Sequence, residues 1–283
     1  MRTVTAGLVH KPRDKRNLKL GALITLPKLE ELPDEFILET NEVKDQQDSD
    51  FCAAFASCLL SGLQEEVPLE PSYTFAVAKS YEPDLNSYGT SLYDILKAHT
   101  KVGAIEIKDS PFSLKDKDQQ FLKDITNWPI LRDKANVQKK QTYLEITGQY
   151  DHFDNIRASI WKFKDKRQGV LFGVDWAWPL SQVVMDNVLY NGSGHALSII
   201  GHKKINGKDY LIIQNSYGKE AGENGKHYFS REVINTFVEK YGAFMMVDIP
   251  RDKVEYRIKN GCKLEDSWIV CFWKTFINFF KTI

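Results

Sequence analysis

Cysteine is scarce: the 283 residues hold four, Cys52, Cys58, Cys262 and Cys271. That is too few for a disulfide framework in a chain of this length. No C-x-x-C pair occurs, and no Cys/His cluster has zinc-ligand spacing. An excess of one charge is also missing. Lys+Arg and Asp+Glu both number 38, so the formal net charge is zero. Nothing in that balance points to nucleic acid, and no single-sign block suggests an interaction tail. Runs of 18 apolar residues are absent, which excludes an ordinary membrane-spanning helix. The basic N-terminus lacks the unbroken apolar stretch of a secretory signal. The four thiols are therefore expected to be free, in a cytoplasmic or otherwise reducing intracellular setting. Cys58, Cys262 and Cys271 read as small hydrophobes.

What is present is ordinary globular composition, 42 % hydrophobic and 27 % charged, with length for one large domain or two modest ones. Residues 1–31 are charged, lack clear periodicity and read as an extended leader. They are expected to pack through Leu18, Leu20, Leu23, Ile24 and Leu26 and to leave activity intact. Residues 51–66 read as a helix buried all round, with Phe55, Cys58, Leu59 and Leu63 at helical spacing and small residues between. Ser49 or Asp50 is its expected cap. Residues 71–82, 91–102 and 153–165 read as further helices, and the charged stretch 109–140 as loops with a short helix. Strand-like runs follow at 169–176, 195–202, 210–214, 226–229 and 243–249, separated by turns such as Asn206-Gly207 and Asn224-Gly225. Helices first and strands second imply an α+β fold of two subdomains, 32–140 helical and 141–250 β-rich. A C-terminal extension, 251–283, follows.

Three blocks carry residue types suited to thiol chemistry. VKDQQDSDFCAAFASC places Gln46 six residues before Cys52, NGSGHALSIIGH opens a strand-like run at His195, and DYLIIQNSYGKEAGENG ends another at Asn215. A thiol attacks only as thiolate. A histidine beside it takes the proton and returns it to the leaving amine. An asparagine amide orients the imidazole without adding charge. Cys52 lies in the first turn of its helix, where free N–H groups and the helix dipole favour negative charge. Gln46 and the Cys52 backbone N–H can donate to a developing oxyanion. Asp50 and Asp48 put carboxylates near the sulfur, which raises the thiol pKa unless Asp50 is occupied as a cap. His10, His99, His152, His202 and His227 lie in no such context and read as structural or exposed.

At these blocks the chain resembles the papain family of cysteine peptidases, strongly at VKDQ-x5-C-A-A-F, GHALSIIGH and YLIIQNSYG-x3-GENG and weakly over residues 32–249. The resemblance implies a papain-like fold with a cleft between the subdomains. Cys52 is then the nucleophile, His195 the base, Asn215 its orienter and Gln46 an oxyanion donor. Gly89, Thr90, Gly194 and Tyr217 are candidates for substrate binding, Tyr217 standing where the family often has a tryptophan. Ser49 replaces the family's first disulfide cysteine and Ala53 the tryptophan after the nucleophile. The leader is shorter than the family's helical prodomain. The implied activity is an endopeptidase acting on peptide or protein through a thioester, with no metal or cofactor. A transpeptidase or amidase on the same site, or a catalytically weak peptide-binding module, are the alternatives.

The tail SWIVCFWKTFINFFKTI lies outside the resemblance. As a helix it puts Ser267, Lys274, Asn278 and Lys281 on a polar stripe, with Trp268, Phe272, Phe276, Phe279, Phe280 and Ile283 opposite. Its apolar face is expected to be covered by the protein's own body, by a second copy, or by a membrane interface as a peripheral contact.

Overall fold

Small residues decide the central helix. Ala53, Ala54, Ala56, Ser57 and Ser61 leave α2 (Cys52–Glu65) no polar bulk, and it is buried nearly all round. It ends where Glu66 takes a left-handed conformation, φ 59°. Neither Ser49 nor Asp50 caps its start. Phe51 is the N-cap residue and contributes no side-chain bond, so the expected cap is corrected. The computed structural model describes residues 6–40, 42–85, 87–111 and 129–281. Before α2 lie α1 (Leu20–Leu23) and β1 (Glu35–Ile37). After it come α3 (Pro71–Lys79), capped by Glu70 with proline in the first turn, and α4 (Leu92–Lys97), capped by Ser91. The short helix expected in the charged stretch is α5 (Pro129–Val137), while residues 112–128 of that stretch lie outside the described residues.

The second half builds a sheet from β2 (Thr142–Glu145), β3 (Val170–Trp176), β4 (Val184–Met185), β5 (Ser193–Ile205), β6 (Lys208–Gln214), β7 (Lys226–Phe229) and β8 (Ala243–Val247). Their order is β2-β8-β3-β5-β6-β7-β4, with β1 paired to β5 off that path. The β4–β7 pair is parallel and the others antiparallel. β1 lies on the sheet although it precedes α2: Phe36 pairs with His202. Gly201 permits this, because a Cβ there would come within 2.1 Å of the Phe36 carbonyl oxygen. Helix α6 (His152–Lys162) is capped by Asp151, and α7 (Arg231–Tyr241), capped by Ser230, packs on β3. One apolar core runs through both halves and includes α2, β3, β5, β6 and β8. Ser198 of β5 donates to the Ala56 carbonyl at 2.9 Å and ties the sheet to α2.

The leader joins this core through Leu20, Leu23, Ile24 and Leu26, all buried, with Leu18 partly so. The C-terminal extension clamps it from outside: Leu264 N–H donates to Leu23 O and Thr25 N–H to the Glu265 carboxylate, each at 2.8 Å. That extension holds α8 (Arg251–Lys259) and α9 (Trp268–Lys281). Cys262 and Cys271 form a disulfide beside the clamp. This corrects the expectation of four free thiols; Cys52 and Cys58 remain free and buried. Helix α9 is inverted relative to a core-facing amphipathic helix. Lys274 turns to Asp266 at 2.7 Å and Cys271 is buried, while Ile269, Val270, Phe272, Trp273, Phe276 and Ile277 are exposed. Of the expected apolar face Phe272 and Phe276 are thus exposed, while the side chains of Trp268, Phe279, Phe280 and Ile283 lie outside the described residues. No helix of the described residues is long and apolar enough to cross a membrane.

Candidate active site

Three elements converge on one point. Cys52 is the first residue of α2, His195 lies near the start of β5 opposite Val174 of β3, and Asn215 follows the last residue of β6. The Cys52 sulfur accepts from Ala196 N–H at 3.5 Å, so it sits against the residue after the histidine. His195 Nε2 is 2.9 Å from Asn215 Oδ1, and Ser216 N–H donates to the same oxygen at 2.8 Å. That leaves His195 Nδ1 without a hydrogen-bond partner among the described residues. Tyr217 stacks on the imidazole, centroids 5.0 Å apart, and Trp176 meets it edge-on at 5.5 Å. Gln46 is buried. Its Nε2 donates to Ser49 O at 2.7 Å, and its Oε1 accepts from Ser216 Oγ at 2.5 Å. A carbonyl only accepts, so the Ser49 contact fixes which end of the amide is nitrogen.

Residues 6–9 of the leader lie across this point. Gly7 N–H contacts the Cys52 sulfur at 3.4 Å. Leu8 N–H donates to Gly194 O at 2.8 Å, Val9 N–H to Thr90 O at 3.0 Å, and Thr90 N–H to Gly7 O at 2.8 Å. The expected substrate residues Gly89, Thr90 and Gly194 thus all touch the leader: a Cβ on Gly89 would come within 1.8 Å of Gly7 O, and one on Gly194 within 2.2 Å of Leu8 O. Tyr217 lies on His195. The Leu8 side chain rests on Gly173 and Tyr241, where a Cβ on Gly173 would come within 2.4 Å of Leu8 Cδ2. Cys52 is fully buried beneath the leader, a placement the expectation of intact activity did not include. Backbone hydrogen bonds carry that contact, and they leave almost no trace in side-chain types.

Burial sets the electrostatics. It pushes the Cys52 thiol up to about 11, with the Asp50 charge adding to the rise and the Ala196 and Gly7 N–H groups opposing it. Burial also pushes His195 down to about 4 against the pull of the Asn215 hydrogen bond. The closed state is therefore a neutral thiol beside a neutral imidazole. Asp50 does not cap the helix; its carboxylate accepts from Gly89 N–H at 2.6 Å and holds the loop that binds the leader.

One residue absent from the expected set belongs here. His227 of β7 places Nε2 3.1 Å from Asn215 Nδ2 and Nδ1 2.7 Å from Gln182 O. Its sequence context, KHYF, offers only the alternation of a strand beside β6, which ends just before Asn215. Among the described residues no group of three or more His, Cys, Asp or Glu side chains is placed to hold a metal.

A family model described as papain family cysteine protease matches residues 82–246, more than half the chain. The chain belongs to the papain family of cysteine proteases. The matched span includes His195 and Asn215 but begins after Gln46 and Cys52, whose place in the site rests on the geometry above. Among solved structures, the papain-family fold is shared with xylellain, a cysteine protease from Xylella fastidiosa, at TM-score 0.68 and 18 % identity, covering 87 % of this chain and 96 % of that one. It is shared also with digestive procathepsin L2 proteinase of Tenebrio molitor larval midgut, at TM-score 0.62 and 18 % identity, covering 86 % and 78 %. Peptidase 1 of Dermatophagoides pteronyssinus is 35 % identical over 52 residues, 18 % of this chain and 16 % of that protein. Peptidase 1 of Euroglyphus maynei is 33 % identical over 58 residues, 20 % and 18 %. The aligned stretches thus span less than a fifth of these two curated relatives.

Proposed function

We propose that this papain-family chain hydrolyses peptide bonds through a thioester on Cys52, and that the structure holds its leader-closed form. The observation that carries the reading is the extended backbone of Gly7–Val9, seated over the sulfur by the Thr90 and Gly194 main chain. A peptide substrate would take those same bonds. Attack by Cys52 on the carbonyl sends the thiol proton to the vacant Nδ1 of His195, which later gives it to the departing amine. The oxyanion lies near the Cys52 N–H and Gln46 Nε2. Water then cleaves the thioester and frees the acid. With the leader withdrawn, rehydration lowers the thiol pKa and raises that of the imidazole, both toward the reactive pair. The test is digestion of fluorescein-labelled casein by the wild type and Cys52→Ala, each intact and with residues 1–16 removed. The shortened wild type should cleave and the shortened Cys52→Ala should not; equal cleavage by both would refute the assignment.

For partners beyond the substrate, we infer that α9 rests in an anionic lipid interface. Ile269, Val270, Phe272, Trp273, Phe276 and Ile277 are exposed, residues 267–283 contain no Asp or Glu, and Lys253 and Arg257, together with Asp252, line a groove of about 550 Å³ beside Phe272. An aromatic face flanked by cations suits headgroups above acyl chains.

A further inference from the structure

The hydrogen bonds around Asn215 do not stop at the asparagine. Gln182 O can only accept, so His227 Nδ1, 2.7 Å away, carries the ring proton. His227 Nε2 is then a lone pair, and Asn215 Nδ2 donates to it at 3.1 Å. The same amide turns Oδ1 toward two donors, Ser216 N–H and His195 Nε2–H. Reversing the amide would set NH2 against the Ser216 N–H and oxygen against the His227 lone pair. The orientation is thus fixed from both ends, and with it the His195 tautomer that leaves Nδ1 open. The His227 ring is itself confined. Trp176 meets it edge-on at 5.0 Å, as it meets His195, and a Cβ on Gly222 would come within 2.7 Å of His227 Nδ1.

We propose that His227 is a positioning residue for the reaction, locking the Asn215 amide and, through it, the His195 tautomer that receives the Cys52 proton. The inference rests on the peptidase reading for its effect on rate, but not for its effect on the tautomer. Neutral His227 is needed, and burial, which pushes its pKa down to about 4, keeps it so near neutral pH.

Two readouts test it on His227→Ala and His227→Gln. The glutamine side chain can donate to Gln182 O and accept from Asn215, so it is the conservative variant. Long-range 1H–15N spectra of the full chain at neutral pH should show His195 as the Nε2–H tautomer in the wild type. His227→Ala should give a tautomer mixture, and His227→Gln should restore the single form. On a fluorogenic peptide cleaved by the wild type lacking residues 1–16, His227→Ala in the same shortened chain should lower kcat up to about 10²-fold, the scale of a misplaced reacting group. KM should stay within about twofold, and His227→Gln should recover most of the rate. If His227→Ala does not fold, His227→Phe fills the volume without the acceptor and takes its place. A folded non-accepting variant that keeps the Nε2–H tautomer and the wild-type kcat overturns the proposal. Should Cys52→Ala cleave as fast as wild type, the peptidase reading falls, and the spectra still decide whether His227 sets the tautomer.

Discussion

Asp50 shows how a charge two residues from a buried thiol can serve two purposes. Its carboxylate holds the Gly89 N–H at 2.6 Å, and its charge helps raise the Cys52 thiol. Asp50→Asn removes the charge while its amide oxygen still accepts from Gly89. Cys52 should then alkylate severalfold faster at mildly acid pH once the leader is off, with substrate KM nearly unchanged. Asp50→Ala should speed alkylation equally but raise KM, because the Gly89–Thr90 loop loses its anchor. Identical alkylation profiles for wild type and Asp50→Asn would refute the electrostatic part. A second consequence concerns acid stability. Burial pushes His99 down to about 3, and His195 and His227 to about 4, from an ordinary 6.5. Above pH 6.5 these rings are neutral folded and unfolded. Between that value and about 4 the unfolded chain takes up protons that the folded one refuses, so stability falls as pH falls. The slope approaches about 1.4 kcal/mol per pH unit for each histidine. The Tm measured by calorimetry should drop clearly from pH 7.5 to pH 4.5, and less steeply in His227→Gln. A flat Tm over that range would contradict the burial of these rings.

Among elements, those set by side-chain pattern were legible and those set by backbone contact were not. The buried helix Cys52–Glu65 announces itself by small residues, and the strands around His195 and Asn215 by β-branched runs, so Cys52, His195 and Asn215 could be placed before any coordinates. The leader's passage over Cys52 uses main-chain bonds of Gly7, Leu8 and Val9, which many sequences could make. The pairing of β1 with β5 depends on Gly201, an isolated glycine inside a strand that could mark several things. The Cys262–Cys271 disulfide was missed because composition argues about frameworks, not about one local loop. Periodicity gave α9 its stripes but not which stripe faces the body. Lys274, reaching Asp266, and the buried Cys271 turn the polar side inward and leave Phe272, Trp273 and Phe276 outside. Full-length protein should therefore float with vesicles containing phosphatidylserine. Flotation should weaken at high salt and disappear with Trp273→Ser plus Phe276→Ser. A full-length protein that stays monomeric and does not float would remove the lipid reading, and one that dimerises in solution without floating would replace it.

At the scale of the whole molecule, the leader is two devices in one segment. Residues 18–26 are core: Leu20, Leu23, Ile24 and Leu26 are buried and clamped by Leu264 and Glu265. At roughly 1.5–3 kcal/mol for each buried leucine-sized side chain, their loss would rival the whole stability of a domain. Residues 6–13 are a plug. Besides the bonds over Cys52, it is held by ion pairs of Lys11 with Asp94 and Arg13 with Glu145, and by His10 Nε2 against Lys240 O at 3.0 Å. Between the two lies a turn at residues 14–17, where Lys15 and Arg16 are exposed, the Arg16 side chain to 89 %. Both carboxylates are buried, but the plug buries two apolar side chains, Ala6 and Leu8, against the strap's four larger ones, so it is held less firmly than the strap behind it. Limited trypsin should accordingly cut after Lys15 or Arg16, giving new N-termini at Arg16 or Asn17. The cut chain should release residues 1–15 or 1–16 and shift its Tm only slightly. Its Cys52 should alkylate at least tenfold faster than in the intact chain. Deleting residues 1–31 should instead give an unfolded or aggregated product. If the intact protein alkylates Cys52 as fast as the cut form, the plug does not close the site in solution. If the cut form, with its plug confirmed lost, stays unreactive, something other than residues 6–13 buries the thiol.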